Sequence, residues 1–148
     1  MDLALAELWQ VSAAVPGARM RPFARGDVIA VYGLLRAGES GFERFGLAGA
    51  FAPLGPCTIP GQLFDLGAYP GLVDGPGSVV GELFEVVDAS VGPTLDAFED
   101  YWPEDPDKSR YDRVLVDLLE PRRAAWVYRW RLGLDQARRI ESGDWFKR

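Results

Sequence analysis

The chain has 148 residues and a single cysteine, which fits one domain that buries a core without disulfides and favours a reducing, cytoplasmic compartment. Sixteen Lys and Arg residues against 22 Asp and Glu residues give a net charge of -6, which repels a nucleic-acid backbone. The chain has no histidine, which excludes Ser-His and Cys-His machinery and most zinc sites, and it has no apolar run long enough to cross a membrane.

The N-terminal segment is apolar but contains acidic residues, which argue against a cationic signal peptide. Leu5, Leu8 and Trp9 recur at helical spacing and predict a helix with one apolar face. That face packs either on the domain or on a second subunit, so both a monomer and a homodimer remain open. We interpret residues 1–24 as an N-terminal helical extension and residues 25–148 as the functional domain.

The first half of the domain is rich in β-forming residues and turn signals. Residues 28–32 predict a buried strand that ends at Gly33, and residues 34–47 predict a loop with a short helix. Gly-Pro and Pro-Gly pairs within residues 48–66 indicate two short strands separated by turns. Another run of turn residues leads into a predicted strand over residues 79–87.

The second half begins with a helical pattern over residues 88–101, for which Ser90 is a candidate N-cap. Residues 111–119 and 124–132 predict two strands that pair across a turn, and residues 135–148 form a polar tail. Strands and helices therefore do not alternate. This order predicts an α+β fold that closes into a compact curved sheet or barrel.

A first candidate site lies where the first strand ends, at residues 32–36 (Tyr32, Gly33, Leu34, Leu35 and Arg36). Glycine lets the backbone turn sharply there, and the free N–H groups of such a loop can hold a carboxylate. Strands that end in glycine are more often followed by a simple turn, so this pattern alone favours the structural interpretation.

A second candidate is Glu99, which follows the apolar helix positions Leu95 and Phe98. A carboxyl beside an apolar stripe loses hydration, and its pKa rises towards the range that proton transfer requires. The alternative is a solvated glutamate at a helix end, and the spacing alone favours this alternative. Asp96 on the same helix is expected to have no chemical role, whereas Tyr111 either supplies a hydroxyl to a pocket or is structural.

Other sequence signals predict no cofactor or metal. Gly71, Gly75 and Gly77 precede a strand, whereas a dinucleotide-binding loop opens a helix. The acidic loop at residues 103–109 lacks the glycine and terminal glutamate of a calcium loop. Cys57 has no basic neighbour in sequence and is interpreted as a packing residue.

Eight sequence blocks together resemble the γ-glutamylcyclotransferase-like family, also called AIG2-like. Residues 31–38, VYGLLRAG, are similar to the YGSLR-x-G opening of that family, and residues 95–99 match its LD-x-x-E block. The resemblance spans roughly residues 28 to 146 in the order of the family. The other blocks are residues 60–65, 69–71, 80–84, 111–113, 125–128 and 140–145.

The resemblance implies a small mixed β-barrel flanked by helices and an enzyme that needs no cofactor. It implies cyclisation of the γ-glutamyl group of a γ-glutamyl amine or amino acid to 5-oxoproline, with release of the amine. Glu99 corresponds to the acid/base of the family, and residues 32–36 to its substrate-anchoring loop. The expected substrate-binding residues are Tyr32, Gly33, Leu34, Leu35, Arg36 and Tyr111.

Two departures from the family pattern leave other functions open. Leu34 stands where Ser or Thr is usual, so the loop lacks a hydroxyl, and Asp100 stands where glycine is usual and adds a negative charge beside Glu99. One alternative is a ligand-binding or interaction domain without turnover. Another is an amide hydrolase on the same fold.

Overall fold

The computed structural model of the chain describes residues 22–36 and 49–148, so the predicted N-terminal helix and most of the predicted loop at residues 34–47 lie outside it. Within the described residues, the helical elements include one α-helix, α1, at Gly92–Phe98, and 3₁₀ turns at Ala89–Val91, Pro106–Lys108 and Trp145–Lys147. The strands are Val28–Val31 (β1), Phe51–Asp65 (β2), Pro70–Val86 (β3), Tyr111–Asp117 (β4), Ala124–Trp130 (β5) and Arg138–Arg139 (β6).

The six strands form one mixed sheet in the order β4-β5-β1-β3-β2-β6. β1 runs parallel to β5, and the other neighbouring pairs are antiparallel. Thr58 N donates to Glu120 O at 2.7 Å, and Leu119 N donates to Thr58 O at 2.9 Å, which ties β2 to the chain just after β4. The sheet therefore curls into a half-barrel, and the predicted α+β class is confirmed.

The central strand β1 is buried on both faces, as its apolar run predicts. Ile29 and Val31 join a cluster that includes α1 and several aromatic side chains, whereas Val28 and Ala30 join a second cluster on the opposite face. Because β1 is fixed from both sides, the loop that follows it starts from a rigid position. Tyr32, the first residue of this loop, is itself buried.

The glycine- and proline-rich segments are strands, not the turns that the sequence predicts. β2 is continuous where two short strands are predicted, and β3 begins at Pro70, not at Val79. The register of the β2–β3 pair shifts on reaching Gly55 and again across Gly61, and both glycines have positive φ. These glycines lie at irregularities in the pairing of two long strands. Glycine is common at such β-bulges as well as in turns.

The predicted helix at residues 88–101 is a 3₁₀ turn followed by the seven-residue helix α1. Asp88, not Ser90, caps this segment: Asp88 Oδ1 accepts from Ser90 N at 3.0 Å and from Ser90 Oγ at 2.6 Å. The ionised carboxylate of Asp88 is a stronger hydrogen-bond acceptor than the hydroxyl of Ser90, which explains why Asp88 is the N-cap. The predicted hairpin of β4 and β5 is confirmed, although each strand ends two residues early.

Candidate active site

The C-terminal end of α1 fixes the position of Glu99. Asp100 has a left-handed backbone with φ of 53°. Its N–H donates to Ala97 O at 3.0 Å, and Tyr101 N donates to Asp96 O at 2.9 Å. These two bonds form a Schellman motif, in which the residue before the left-handed one is the C-cap. Glu99 is that C-cap, so its side chain leaves the helix from a fixed backbone.

The loop after β1 approaches β3 too closely for any residue other than glycine at position 33. A Cβ on Gly33 would lie 2.6 Å from Pro70 Cγ. Arg36 N donates to Gly33 O at 3.0 Å and closes the turn. The backbone N–H groups of Gly33, Leu34 and Leu35 donate no backbone hydrogen bond to another described residue. These N–H groups are therefore available to an anion.

The loop, the end of α1 and the start of β4 enclose a cavity of about 160 Å³. Pockets for drug-sized ligands are larger, at roughly 300–1,000 Å³, so this cavity suits a small metabolite. Six of the seven residues that the sequence predicts for the site line it, namely Tyr32, Gly33, Leu34, Leu35, Glu99 and Tyr111. Residues brought together here are up to 79 positions apart in sequence, counting from Tyr32 to Tyr111.

The seventh predicted residue, Arg36, does not line this cavity. It is 7% exposed, and its Nε and Nη1 atoms each lie 2.8 Å from a carboxylate, of Glu82 and Asp144 respectively. Its guanidinium carbon lies 3.7 Å from the ring centroid of Phe146. Arg36 therefore ties the loop to β3 and to the C-terminal 3₁₀ turn, and the geometry gives no support to its predicted contact with substrate.

The carboxyl of Glu99 is partly buried, and no described residue forms an ion pair or a side-chain hydrogen bond with it. Burial raises the pKa of Glu99 from 4.5 to about 8, and the carboxylate of Asp96 contributes in the same direction. The negative end of α1 also disfavours the ionised form. With this pKa, Glu99 is able to exchange a proton near neutral pH.

Three tyrosines surround this carboxyl, but their hydroxyl protons are directed elsewhere. Tyr32 donates to Tyr128 O at 2.6 Å, and Tyr111 donates to Pro70 O at 2.7 Å. Tyr128 donates to Asp96 Oδ1 at 2.5 Å. Burial raises the pKa of all three hydroxyls. The three hydroxyls remain neutral. Because they donate their protons to other acceptors, they do not compete with a substrate for the Glu99 carboxyl.

Asp96 has a structural role that the sequence interpretation missed. It is 7% exposed, and its Oδ1 lies 3.0 Å from Nε of Arg113, which is fully buried. Burial raises the pKa of Asp96, while Arg113 and the hydroxyl of Tyr128 act in the opposite direction. Loss of one member of a buried ion pair is strongly destabilising. Asp96 is therefore not equivalent to a surface carboxylate.

Asp100, the acidic residue after Glu99, forms an ion pair and a hydrogen bond with neighbouring side chains. Asp100 Oδ2 lies 3.0 Å from Nε of Arg110, and Asp100 Oδ1 accepts from Nε1 of Trp102 at 2.5 Å. Aspartate is also among the residues that tolerate a left-handed backbone, the conformation for which glycine is usual. The added negative charge is thus paired with a cation, and it is not among the causes of the raised pKa of Glu99.

Several cavity residues were not among the predicted site residues: Ala30, Val31, Tyr69, Pro70, Phe98, Asp100, Arg110 and Tyr128. Tyr69, Pro70 and Tyr128 belong to sequence blocks that carry the family resemblance, which was a signal for them. Arg110 had no signal beyond its position next to Tyr111. Its relevance becomes visible only when the end of α1 and the start of β4 are placed together.

Neither a metal centre nor a reactive thiol is present among the described residues. Within residues 22–36 and 49–148, no group of three or more His, Cys, Asp or Glu side chains could hold a metal ion. Cys57 is buried, and its pKa is raised to about 12 by burial and then by Glu82, so its thiol is unreactive near neutral pH. In the part of the chain that the structure describes, no helix is long and apolar enough to span a membrane.

Comparison with known proteins adds to this geometry. The family model "Gamma-glutamyl cyclotransferase, AIG2-like" matches residues 29–147, which is about four fifths of the chain. This chain belongs to that family. A Vibrio cholerae protein named "Putative gamma-glutamylcyclotransferase" is 38% identical over 125 residues, which cover 82% of this chain and 96% of that protein.

Solved structures of AIG2-like proteins share the fold. The solution structure of YtfP from Escherichia coli is 34% identical, with a TM-score of 0.57, and the match covers 80% of this chain and 95% of that one. The crystal structure of an AIG2-like protein from Mus musculus is 26% identical, with a TM-score of 0.52, covering 72% of this chain and 78% of that one. The curled sheet is therefore common to these family members.

Proposed function

We propose that this AIG2-like protein cyclises the γ-glutamyl group of a γ-glutamyl amine or amino acid to 5-oxoproline and releases the amine. The observation that carries the proposal is the Glu99 carboxyl, which lines a small cavity without a hydrogen-bond partner among the described residues and has a pKa of about 8. A base near neutrality is what the first step of such a reaction requires.

In the proposed reaction, the ionised Glu99 carboxylate takes a proton from the α-ammonium group of the substrate. The resulting amine attacks the γ-carbonyl carbon of the same molecule, and a five-membered ring forms through a tetrahedral oxyanion. Glu99, now protonated, gives its proton to the departing nitrogen as the C–N bond breaks, and its carboxylate then takes the second proton from the ring nitrogen and passes it to the released amine. The products are a neutral lactam ring and the released amine in its ammonium form, and no cofactor enters the balance.

Substrate binding is assigned to the loop after β1. The N–H groups of Gly33, Leu34 and Leu35 lack described acceptors and suit the α-carboxylate of the glutamyl group. Since these donors belong to the backbone, Leu34 in place of Ser or Thr does not remove them. The rings of Tyr32 and Tyr111 form the walls that hold the chain bent, which brings the amine near the carbonyl.

The test is incubation of the purified protein with a panel of γ-glutamyl amines and γ-glutamyl amino acids, followed by mass spectrometry of the products. We expect 5-oxoproline and the free amine. Glu99→Gln keeps the size of the side chain but cannot carry the proton, so turnover should fall at least about a hundredfold. Glu141→Gln makes the same chemical change on an exposed side chain outside the cavity and serves as the matched control.

Each other outcome identifies a different function. Free glutamate in place of 5-oxoproline would assign an amide hydrolase. Binding without turnover would assign a ligand-binding domain. If Glu99→Gln and Glu141→Gln both retain parental turnover, the acid/base is another residue even though the cyclisation is confirmed. We further propose that the protein acts in the cytoplasm, which suits a chain whose single cysteine is buried and free.

A further inference from the structure

The guanidinium of Arg110 lies at the rim of the cavity. Arg110 is the only basic residue among the described residues that line it, and its side chain is 55% exposed. Its Nε lies 3.0 Å from Asp100 Oδ2, and its Nη1 donates to the hydroxyl of Tyr69 at 3.0 Å. The proposed anchoring loop and Glu99 account for the charges of the glutamyl group itself, so the guanidinium of Arg110, although it pairs with Asp100, has no assigned contact with the substrate.

The guanidinium is held in place and still has donors to offer. Arg110 N donates to Asp100 O at 2.9 Å, and Arg131 N donates to Arg110 O at 3.0 Å, so the backbone at this position is fixed from two sides. A guanidinium carries five N–H groups, and only two bonds to other described residues use its side chain. The remaining N–H groups include both of those on Nη2, which face no described acceptor.

The reaction geometry indicates what these donors meet. The glutamyl carboxylate and amine are held inside the cavity, so the departing amine carries whatever part of the substrate extends to the rim. A carboxylate is the group that matches a guanidinium best. A departing amine with its own ammonium group would instead be repelled by Arg110, unless Asp100 exchanged its partner.

We propose that Arg110 forms a subsite for a carboxylate on the departing amine, so that the protein selects γ-glutamyl amino acids over γ-glutamyl alkylamines. This inference rests on the proposed cyclisation. Asp100 and Tyr69 position the guanidinium before the substrate arrives, which reduces the entropy lost on binding. Because the rim is open to solvent, the interaction is weaker than a buried ion pair.

The test compares two substrates that differ by one carboxylate, γ-glutamyl-alanine and γ-glutamyl-ethylamine. For the parent protein we expect kcat/KM to be about tenfold higher for γ-glutamyl-alanine, the effect of one charge-assisted hydrogen bond at an exposed site. Arg110→Gln should bring the ratio of the two values close to one, with the loss falling on γ-glutamyl-alanine. Arg110→Lys should keep part of the preference, because it retains the charge but not the fork of donors.

The matched control is Arg138→Gln, since Arg138 is also an exposed arginine beside an aspartate, Asp65, but does not line the cavity. The inference is overturned if Arg110→Gln lowers kcat/KM equally for both substrates, or if the parent protein prefers the ethylamine. Turnover of both substrates with an unchanged ratio in Arg110→Gln overturns the subsite but leaves the cyclisation intact. Absence of 5-oxoproline from both substrates overturns the proposed function and the subsite with it.

Discussion

The raised pKa of Glu99 predicts a cost in stability that is measurable without any substrate. The pKa is about 8 in the folded chain against an ordinary value of 4.5, a difference of about 3.5 pH units. At about 1.36 kcal/mol per unit, the ceiling on this cost is about 5 kcal/mol. Since Glu99 is only partly buried, solvent screens part of it, and we expect about 2 to 4 kcal/mol.

The sign of the effect follows from proton linkage. Below about pH 4.5, Glu99 is protonated in the folded and unfolded states, and no cost is present. As the pH rises from there to about 8, the unfolded chain loses this proton while the folded chain keeps it, so the free energy of unfolding falls. Above the folded pKa both states are ionised, and the full cost remains.

Chemical denaturation of the parent and of Glu99→Gln at about pH 5 and about pH 9 measures the effect. Glutamine does not titrate, so the variant should gain about 2 to 4 kcal/mol relative to the parent between these two pH values. Glu141→Gln, on an exposed side chain, should show no such gain. Equal pH dependence of the parent and Glu99→Gln would refute the assignment of a buried, unpaired carboxyl.

Two further substitutions test the walls of the cavity. Gly33→Ala would place a Cβ 2.6 Å from Pro70 Cγ, so we expect the free energy of unfolding to fall by about 1 to 3 kcal/mol and substrate binding to weaken. Parental stability and parental substrate binding in this variant would show that the loop moves freely. Tyr111→Phe removes the hydroxyl bonded to Pro70 O and should lower kcat/KM by about ten- to a hundredfold, while unchanged kinetics would make Tyr111 purely structural.

The parts of the site that were predictable from sequence are those that depend on local pattern. The apolar run of β1 and the glycine after it indicated a strand and a sharp turn. The positions of Leu95 and Phe98 placed Glu99 beside the apolar stripe of the helix, although this spacing alone favoured a solvated glutamate. Both patterns operate within one element, where periodicity and side-chain size determine the outcome. The family resemblance added the connection between the two elements, which periodicity alone does not contain.

The parts that were not predictable depend on contacts between distant residues. Arg36 follows the anchoring loop in sequence, yet its partner Asp144 comes from the other end of the chain and draws it away from the cavity. The helix pattern gave Asp96 no partner, but Asp96 pairs with Arg113 from β4. The turn residues around Gly55 and Gly61 do not interrupt β2, because pairing along the whole of β3 outweighs the local turn preference.

The placement of Glu99 at the end of α1 also explains how one carboxyl can serve as base and then as acid. Burial, the charge of Asp96 and the helix terminus all favour the neutral form, and no described residue supplies a compensating cation. In the proposed reaction the substrate brings that cation as its α-ammonium group, which lowers the pKa of Glu99 and so favours the ionised form that acts as the base. Ring closure and the loss of two protons convert the ammonium to a neutral amide and remove the cation. The proton on the departing nitrogen then comes from Glu99, which is left ionised in a site that disfavours its charge, so the next ammonium group is bound favourably.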